Sequence, residues 1–135
     1  MDLDWLVDKK CSRVASIAQG VFGFEFGDSG INVACAWRIV DNGHIAAAHR
    51  DHGQMYGHSS PVDAASRAFE LLNGRPVLTG HADDLLGDIR VEFEGSVTLE
   101  IFNDSSGFEA WTMTDPNKYV WFAASGGEIS GYPGA

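Results

Sequence analysis

The sequence predicts an α+β domain, with a largely antiparallel, bent sheet or open barrel of about seven to nine strands and one main helix over residues 61–72. Three observations predict this class. Several short segments alternate apolar and polar residues, which is typical of half-buried strands. Turn sequences rich in Gly, Asn, Asp and Pro separate these segments. One stretch has helical periodicity with start and stop signals at its ends.

The length, the two cysteines and the N-terminal sequence limit the kind of protein that this can be. A chain of 135 residues fits one domain, residues 1–135, with a core that needs no disulfide or metal. Cys11 and Cys35 lie in unrelated contexts and are interpreted as reduced core residues. The N-terminal sequence MDLDWLVDKK lacks a signal-peptide pattern, and no stretch approaches a membrane span. We therefore expect a cytoplasmic protein.

The first strands are predicted from alternation. In residues 21–26 every second residue is a phenylalanine, and in residues 31–39 every second residue is again apolar. The sequence GDSG between them is a turn, and a four-residue turn would place Phe26 opposite Ile31. All the large apolar side chains then lie on one face.

A second hairpin follows at Asn42-Gly43, a pair that favours a two-residue turn because both positions need positive φ. This turn would place Ile39 opposite Ala46, so the three strands form a meander with a common core face. The opposite face, which includes Ile45, is also apolar and is expected to be covered by the helix.

The helix is predicted in SSPVDAASRAFELLNG. Ser60 is the expected N-cap, Pro61 the first helical residue, and Asp63 lies in the first turn. Gly74 follows the last turn as a stop signal. Val62, Ala65, Phe69 and Leu72 form the apolar stripe.

Past the helix, RPVLTGHA predicts a short strand, and a hairpin over residues 89–101 comes next. A two-residue turn in this hairpin would mix apolar and polar faces. A three-residue loop at residues 94–96 instead pairs Phe93 with Val97 and keeps the faces separate. The same register places Arg90 opposite Glu100 on the outer face as a weak cross-strand ion pair.

The last hairpin turns at residues 115–118, DPNK, which is typical of a type I turn. We expect Met113 to lie opposite Val120 and Trp111 opposite Phe122. The Gly-rich end, SGGEISGYPGA, is expected to fray.

Charge is concentrated in one segment. The net charge is −10, and residues 83–115 hold nine acids against one base, Arg90. Such a field repels nucleic acid and anionic membranes, so neither is an expected partner. A basic protein partner fits the charge, although an acidic surface also serves solubility alone.

The predicted hairpin at residues 89–101 directs carboxylates to solvent beside aromatic residues, an arrangement that can bind a basic protein. A nuclease toxin is a fitting target because its nucleic-acid cleft must be basic. The predicted partner-binding residues are Asp83, Asp84, Glu92, Glu94, Glu100, Asp104 and Glu109.

Two other interpretations stay open. Arg38, His49 and Asp51 would share a face, with His52 nearby, as in a small enzyme or a metal-binding protein. The spacing matches no zinc signature, and no phosphate loop or catalytic motif is present, so we predict no catalytic residue, metal or cofactor.

The third interpretation is a binding module unrelated to toxins. Phe108, Tyr119 and Trp121 would then form an apolar contact patch on the last hairpin. The sequence leaves the oligomeric state open.

The motifs WRI, HRDHGQMYG, PVDAA, LLNGRPV, GDIRVEFEG and LEIFNDSSGFEAW follow one another between Trp37 and Trp111. In this order they resemble a family of small bacterial proteins of unknown function that are similar to immunity proteins of contact-dependent and polymorphic toxin systems. The resemblance extends from Phe22 to Phe122. It implies a cytoplasmic inhibitor that binds and blocks one cognate toxin, and it supplies no established active site.

Overall fold

A computed structural model describes residues 1–134 as two antiparallel sheets and one α-helix, which confirms the α+β class. The strands are β1 Arg13–Ala18, β2 Val21–Phe26, β3 Ser29–Val33, β4 Ala36–Asp41, β5 His44–Ala48, β6 Val77–Ala82, β7 Ile89–Phe93, β8 Val97–Phe102, β9 Trp111–Thr114, β10 Tyr119–Ala123 and β11 Ile129–Pro133. The helix α1 is Ala64–Leu72, and short 3-10 turns cover Asp4–Leu6, His49–Asp51 and Ser125–Gly127.

Over residues 1–134 the strands form two separate sheets and no closed barrel. One has the order β1-β2-β3-β9-β10-β11, and the other has the order β5-β4-β8-β7-β6. The expected single sheet of about seven to nine strands is therefore wrong. The prediction is wrong because residues 31–39 contribute to both sheets: the chain leaves β3 at Val33 and enters the other sheet at Ala36. The alternation continues through this crossing, because Ile31 and Trp37 are both buried.

The core lies between the two sheets. Trp37 of β4 contacts two rings of β2 edge-on, Phe22 at 5.1 Å and Phe24 at 5.2 Å between ring centroids. Phe26 of β2 stacks on Phe93 of β7 at 6.4 Å. Aromatic rings from both sheets thus interdigitate in one hydrophobic core.

The first hairpin has a shorter turn than predicted. Only Gly27 and Asp28 separate the strands, so Phe26 lies opposite Ser29 and Phe24 opposite Ile31. The shift is two residues, which preserves the face of every side chain. The apolar face is therefore buried as predicted, although the register is wrong.

At the second hairpin the Asn42-Gly43 turn is confirmed, with φ of 50° and 85°. A β-bulge then places Ile39 opposite Ala47 instead of Ala46. Ile45 lies on the other face and is 61% exposed, so the expected cover over this part of the face is wrong.

The hairpin of β7 and β8 has the predicted register. Phe93 lies opposite Val97, and Arg90 lies opposite Glu100. The loop at residues 94–96 contains three residues, with positive φ at Gly95 and Ser96.

The hairpin of β9 and β10 is offset by one residue from the prediction. Lys118 has a φ of 66° and adds a residue after the type I turn, so Met113 lies opposite Trp121. Val120 and Phe122 consequently face away from the core, and Trp121 packs against it.

The Gly-rich end was expected to fray, but within the described residues it forms β11, which pairs along the whole of β10. Ala135, the last residue of the predicted segment, lies outside the described residues. A side chain at Gly131 would collide with the ring of Tyr119, so glycine lets the two strands approach. The first strand, β1, pairs with β2 and was not predicted from the sequence.

The helix begins three residues later than predicted. The backbone N–H of Ser66 donates to Asp63 Oδ1 at 3.1 Å, so Asp63 is the N-cap and Ser60 is not. The predicted end is confirmed, with Leu72 as the last helical residue and Gly74 at a φ of 78°. The helix packs against β1 and β5, the edge strands of the two sheets, and closes one side of the core.

Candidate functional site

The outer face of the five-stranded sheet is electrically balanced. Arg38 Nε lies 3.0 Å from Glu100, and Arg90 bridges Glu100 at 3.2 Å and Glu92 at 3.1 Å. Thr79 also donates to Glu92. Two of the predicted partner-binding carboxylates, Glu92 and Glu100, are therefore neutralised within the sheet. The predicted ion pair between Arg90 and Glu100 is present, and Arg38 adds a second base beside Glu100 that was not predicted.

Glu94 follows the last residue of β7, at the opposite end of that strand from the four predicted acids in the loops. It occupies the exposed turn of the β7–β8 hairpin, where its backbone carbonyl accepts from Arg75 at 3.0 Å. The remaining four, Asp83, Asp84, Asp104 and Glu109, lie in the loops that flank the start of β7 and the end of β8. The seven predicted residues thus occupy three places.

Three loops meet at one end of the molecule. We call this the acidic loop end, and it comprises residues 83–88, 103–110 and 124–128. The backbone N–H of Asn103 donates to Asp88 Oδ1 at 2.8 Å, and its side-chain amide donates to the carbonyl of Leu86 at 3.1 Å. The first loop is thereby fixed to the second.

Further hydrogen bonds tie in the third loop and the core. The hydroxyl of Ser125 donates to the carbonyl of Gly107 at 3.1 Å. The buried indole of Trp111 donates to the carbonyl of Gly87 at 2.7 Å. Gly87 and Gly127 lie so close that a Cβ at Gly87 would be 3.0 Å from the Gly127 carbonyl oxygen. The loop end is therefore a fixed surface whose backbone is held from several directions.

The composition of the acidic loop end is one-sided. Its three segments contain no Lys, Arg or His. They contain six acids, Asp83, Asp84, Asp88, Asp104, Glu109 and Glu128. Three large apolar side chains are also exposed here, with Leu85 at 82%, Leu86 at 59% and Phe108 at 79%. A surface of this kind combines long-range negative potential with contacts that exclude water.

Besides Asp88, which accepts from Asn103, two of these acids have local partners. Asp83 Oδ1 accepts the backbone N–H of Leu85 at 2.8 Å, and that bond lowers the pKa of Asp83. Asp84 lies 3.0 Å from the Met1 amine and keeps 74% of its side chain exposed. Both carboxylates remain at the surface, so they contribute to the field there.

Asp104 and Glu109 line an open cleft of about 560 Å³ beside Phe108. They are the only charged side chains of its wall, and within residues 1–134 neither forms an ion pair. Cys35 also lines the cleft, and burial, followed by the charges of Asp104 and Asp88, raises its pKa to about 12. The thiol stays protonated, chiefly because it is buried, and the carboxylates beside it would attract a cation to the cleft.

The four residues of the alternative enzyme or metal site have separate partners. Arg38 binds Glu100, and His49 Nδ1 lies 3.2 Å from the backbone nitrogen of Trp37. His52 Nδ1 accepts from the backbone of the first helical residue at 3.1 Å. Asp51 accepts from the Tyr56 hydroxyl at 2.8 Å, which raises the pKa of that phenol.

A cleft of about 430 Å³ lies between β5 and α1, and Asp51 lines it without Arg38, His49 or His52. Its floor is formed by Ala46, Ala47 and Ala48. Within residues 1–134, no group of three or more His, Cys, Asp or Glu side chains is placed to hold a metal ion. Arg38, His49, Asp51 and His52, the residues of the alternative interpretation, therefore do not line one common cleft.

Sequence reasoning missed Asp88, Glu128, Leu85 and Leu86 as members of this surface. The clustering of DDLLGD, NDSSGFEA and ASGGE as turn-like segments without a base was a usable signal. Their contact with one another depends on pairing between distant strands, which local patterns do not contain.

The fold and the loop end define a small antiparallel two-sheet α+β protein with an acidic, partly apolar surface at one end. Comparisons with protein-family models, with curated proteins and with solved structures found no match. Among residues 1–134, no helix has the length and apolar character needed to span a membrane.

Proposed function

We propose that this protein is an immunity protein that binds and neutralises a cognate secreted bacterial toxin through the acidic loop end. A basic nuclease is the proposed class of toxin, and the proposed site of action is the cytoplasm. The observation that carries the proposal is the convergence of three loops with six acids and no base. The resemblance described above supports the same assignment.

The physical basis is charge complementarity. A nuclease must present a basic cleft to the phosphate backbone of its substrate. Six acids on one end attract such a cleft over about one Debye length, or roughly 8 Å at physiological salt, and this accelerates association. The exposed side chains of Leu85, Leu86 and Phe108 supply the apolar contacts that slow dissociation.

The proposed binding surface differs from the sequence prediction. Asp83, Asp84, Asp104 and Glu109 remain in it. Asp88 and Glu128 join them, so the surface contains six acids. Glu92 and Glu100 are assigned instead to the ion pairs with Arg38 and Arg90 on the sheet face. Glu94 is placed outside the surface, at the other end of its strand.

The test uses the product of the neighbouring gene, which the proposal predicts to contain a toxin domain. Its binding is measured by growth protection and by association kinetics at low and moderate salt. In the double variant Asp104→Lys/Glu109→Lys, we expect association about tenfold slower or more at low salt. The matched control Asp28→Lys/Glu94→Lys makes the same change of charge at turns remote from the loop end.

We expect the control to change the association rate by less than about threefold, since only general attraction is reduced. Equal slowing in both variants would show that net charge, and not this end, steers the partner. A neighbouring gene product that is neither toxic nor bound would contradict the immunity assignment itself.

A further inference from the structure

Three of the four sheet edges are flanked by other parts of the chain. Residues at the N-terminus pair with β6, where Leu3 N donates to the Gly80 carbonyl and Ala82 N donates to the Met1 carbonyl, both at 2.9 Å. Helix α1 packs against the other two, β1 and β5. Within residues 1–134, no strand or helix pairs with the outer side of β11. An open edge of this kind is a template for another strand.

The register shows which backbone groups of β11 point outward. Ala124 N donates to the Glu128 carbonyl and Gly134 N donates to the Lys118 carbonyl, which fixes the hydrogen-bonded pairs of the β10–β11 ladder. By alternation, Ser130 and Tyr132 also bond to β10. Their neighbours Ile129 and Gly131 therefore present both N–H and C=O to the outside, while Pro133 presents only its carbonyl.

The side chains along this edge divide between two chemistries. The outer face carries Glu128, Ser130 and Tyr132, and all three are exposed. Tyr132 lies beside the ring of Phe122, with 6.1 Å between centroids. On the inner face, Ile129 packs against the hydrophobic core. A strand added here would meet an acidic and aromatic row on one face and an apolar residue on the other.

The open edge is continuous with the acidic loop end. Glu128 belongs to the third loop and directly precedes β11. Gly127, one residue earlier, lies against the backbone of Leu86 in the first loop. A segment that pairs with Ile129 therefore reaches the acidic loops without a gap.

We propose that the outer edge of β11 binds an extended segment of a basic protein partner as an additional strand of the six-stranded sheet. Basic side chains of that segment lie on the face of Glu128 and Tyr132, where they gain ion-pair and cation–π contacts. Apolar side chains lie on the face of Ile129. The inference rests on the proposed function for the charge of the partner, and on the register of β11 for its mode of binding.

A short synthetic peptide of alternating lysine and valine has this pattern and serves as the probe, with an alternating glutamate–valine peptide as its control. The readout is residue-resolved amide hydrogen exchange by NMR. In the free protein, Ile129 and Gly131 exchange rapidly because their N–H groups have no partner in the sheet. Saturation with the lysine–valine peptide is expected to slow both by about tenfold or more, with no slowing by the glutamate–valine peptide.

Matched variants test the role of charge at this edge. Glu128→Lys is expected to weaken binding of the lysine–valine peptide by about fivefold or more. Glu94→Lys makes the same charge change at an exposed turn far along the other sheet and is expected to weaken it by less than about twofold.

Failure to bind the lysine–valine peptide, or binding that leaves Ile129 and Gly131 unprotected, would overturn the inference. Protection of the same two amides that grows with protein concentration alone would overturn it in favour of pairing between two copies. A toxin domain bound at the loop end without slower exchange at Ile129 and Gly131 would leave the proposed function standing and remove only the strand-addition mode.

Discussion

Two buried tryptophans allow a direct measurement of how hydrogen bonding stabilises this core. Trp111 and Trp37 are each 1% exposed, yet their indole N–H groups differ. The N–H of Trp111 donates to the carbonyl of Gly87 at 2.7 Å. That of Trp37 has no hydrogen-bond partner among residues 1–134. Replacement of each by phenylalanine removes an indole N–H that donates a hydrogen bond at position 111 and one that donates none at position 37.

The expected losses of unfolding free energy differ for a simple reason. The smaller ring leaves unfilled volume at both sites, which costs each variant about 1–2 kcal/mol. Trp111→Phe also leaves the Gly87 carbonyl without its donor, which costs about 1–3 kcal/mol more. Trp37→Phe removes a donor that is already unpaired and recovers about 1 kcal/mol of its burial cost. The loss for Trp111→Phe should therefore exceed that for Trp37→Phe by about 2 kcal/mol or more.

The assay is urea unfolding followed by far-UV circular dichroism, which does not depend on tryptophan fluorescence. Equal m-values would show that the variants expose the same surface on unfolding. Trp121→Phe is a useful reference, since this half-buried indole donates to Asp115 at a longer 3.3 Å. Equal losses for Trp111→Phe and Trp37→Phe, or a larger loss for Trp37→Phe, would refute the reasoning.

Two further predictions concern the helix cap and the thiols. Asp63→Ala should lower the free energy of unfolding by about 1 kcal/mol at pH 7, and Ser60→Ala should lower it by much less. The backbone N–H of Ser66 lowers the pKa of Asp63, so the stabilisation by this carboxylate is full above the ordinary carboxyl pKa and is lost as the pH falls through the folded-state pKa. Urea unfolding of both variants at pH 7 and at about pH 2 checks the size of the effect and its pH dependence. Burial raises the pKa of Cys11 to about 11 and that of Cys35 to about 12. Iodoacetamide at pH 8 should therefore modify both thiols only after unfolding. Modification of the folded protein at the rate of a free thiol would contradict this.

The sequence predicted structure best where both faces of a hairpin agreed on one register. In the β7–β8 hairpin, only a three-residue loop pairs Phe93 with Val97 and also sets Arg90 against Glu100, and the structure has that register. At the last hairpin, no such agreement was available. The positive φ of Lys118 adds one residue there, and it reverses the faces of β10.

Other features depend on contacts between distant parts of the chain. The alternation over residues 31–39 is unbroken, so nothing local marks the passage from one sheet to the other between Val33 and Ala36. The charge of Glu100 is balanced by Arg38 from β4, a strand far from it in sequence. For this reason the sequence indicates which segments are acidic, while the meeting of these segments at one end of the fold could not be predicted from it.

The way in which the loop end is anchored has a consequence for how recognition could diversify. The indole of Trp111 and the amide of Asn103 hold the first loop through the carbonyls of Gly87 and Leu86. These carbonyls belong to the backbone, so the two hydrogen bonds do not depend on the side chains of the loop. The outward side chains of Leu85 and Phe108 contribute little to the interior, being 82% and 79% exposed. Under the proposed function, substitution of Leu85 or Phe108 would change which partner binds, while the free energy of unfolding of the domain stayed almost constant.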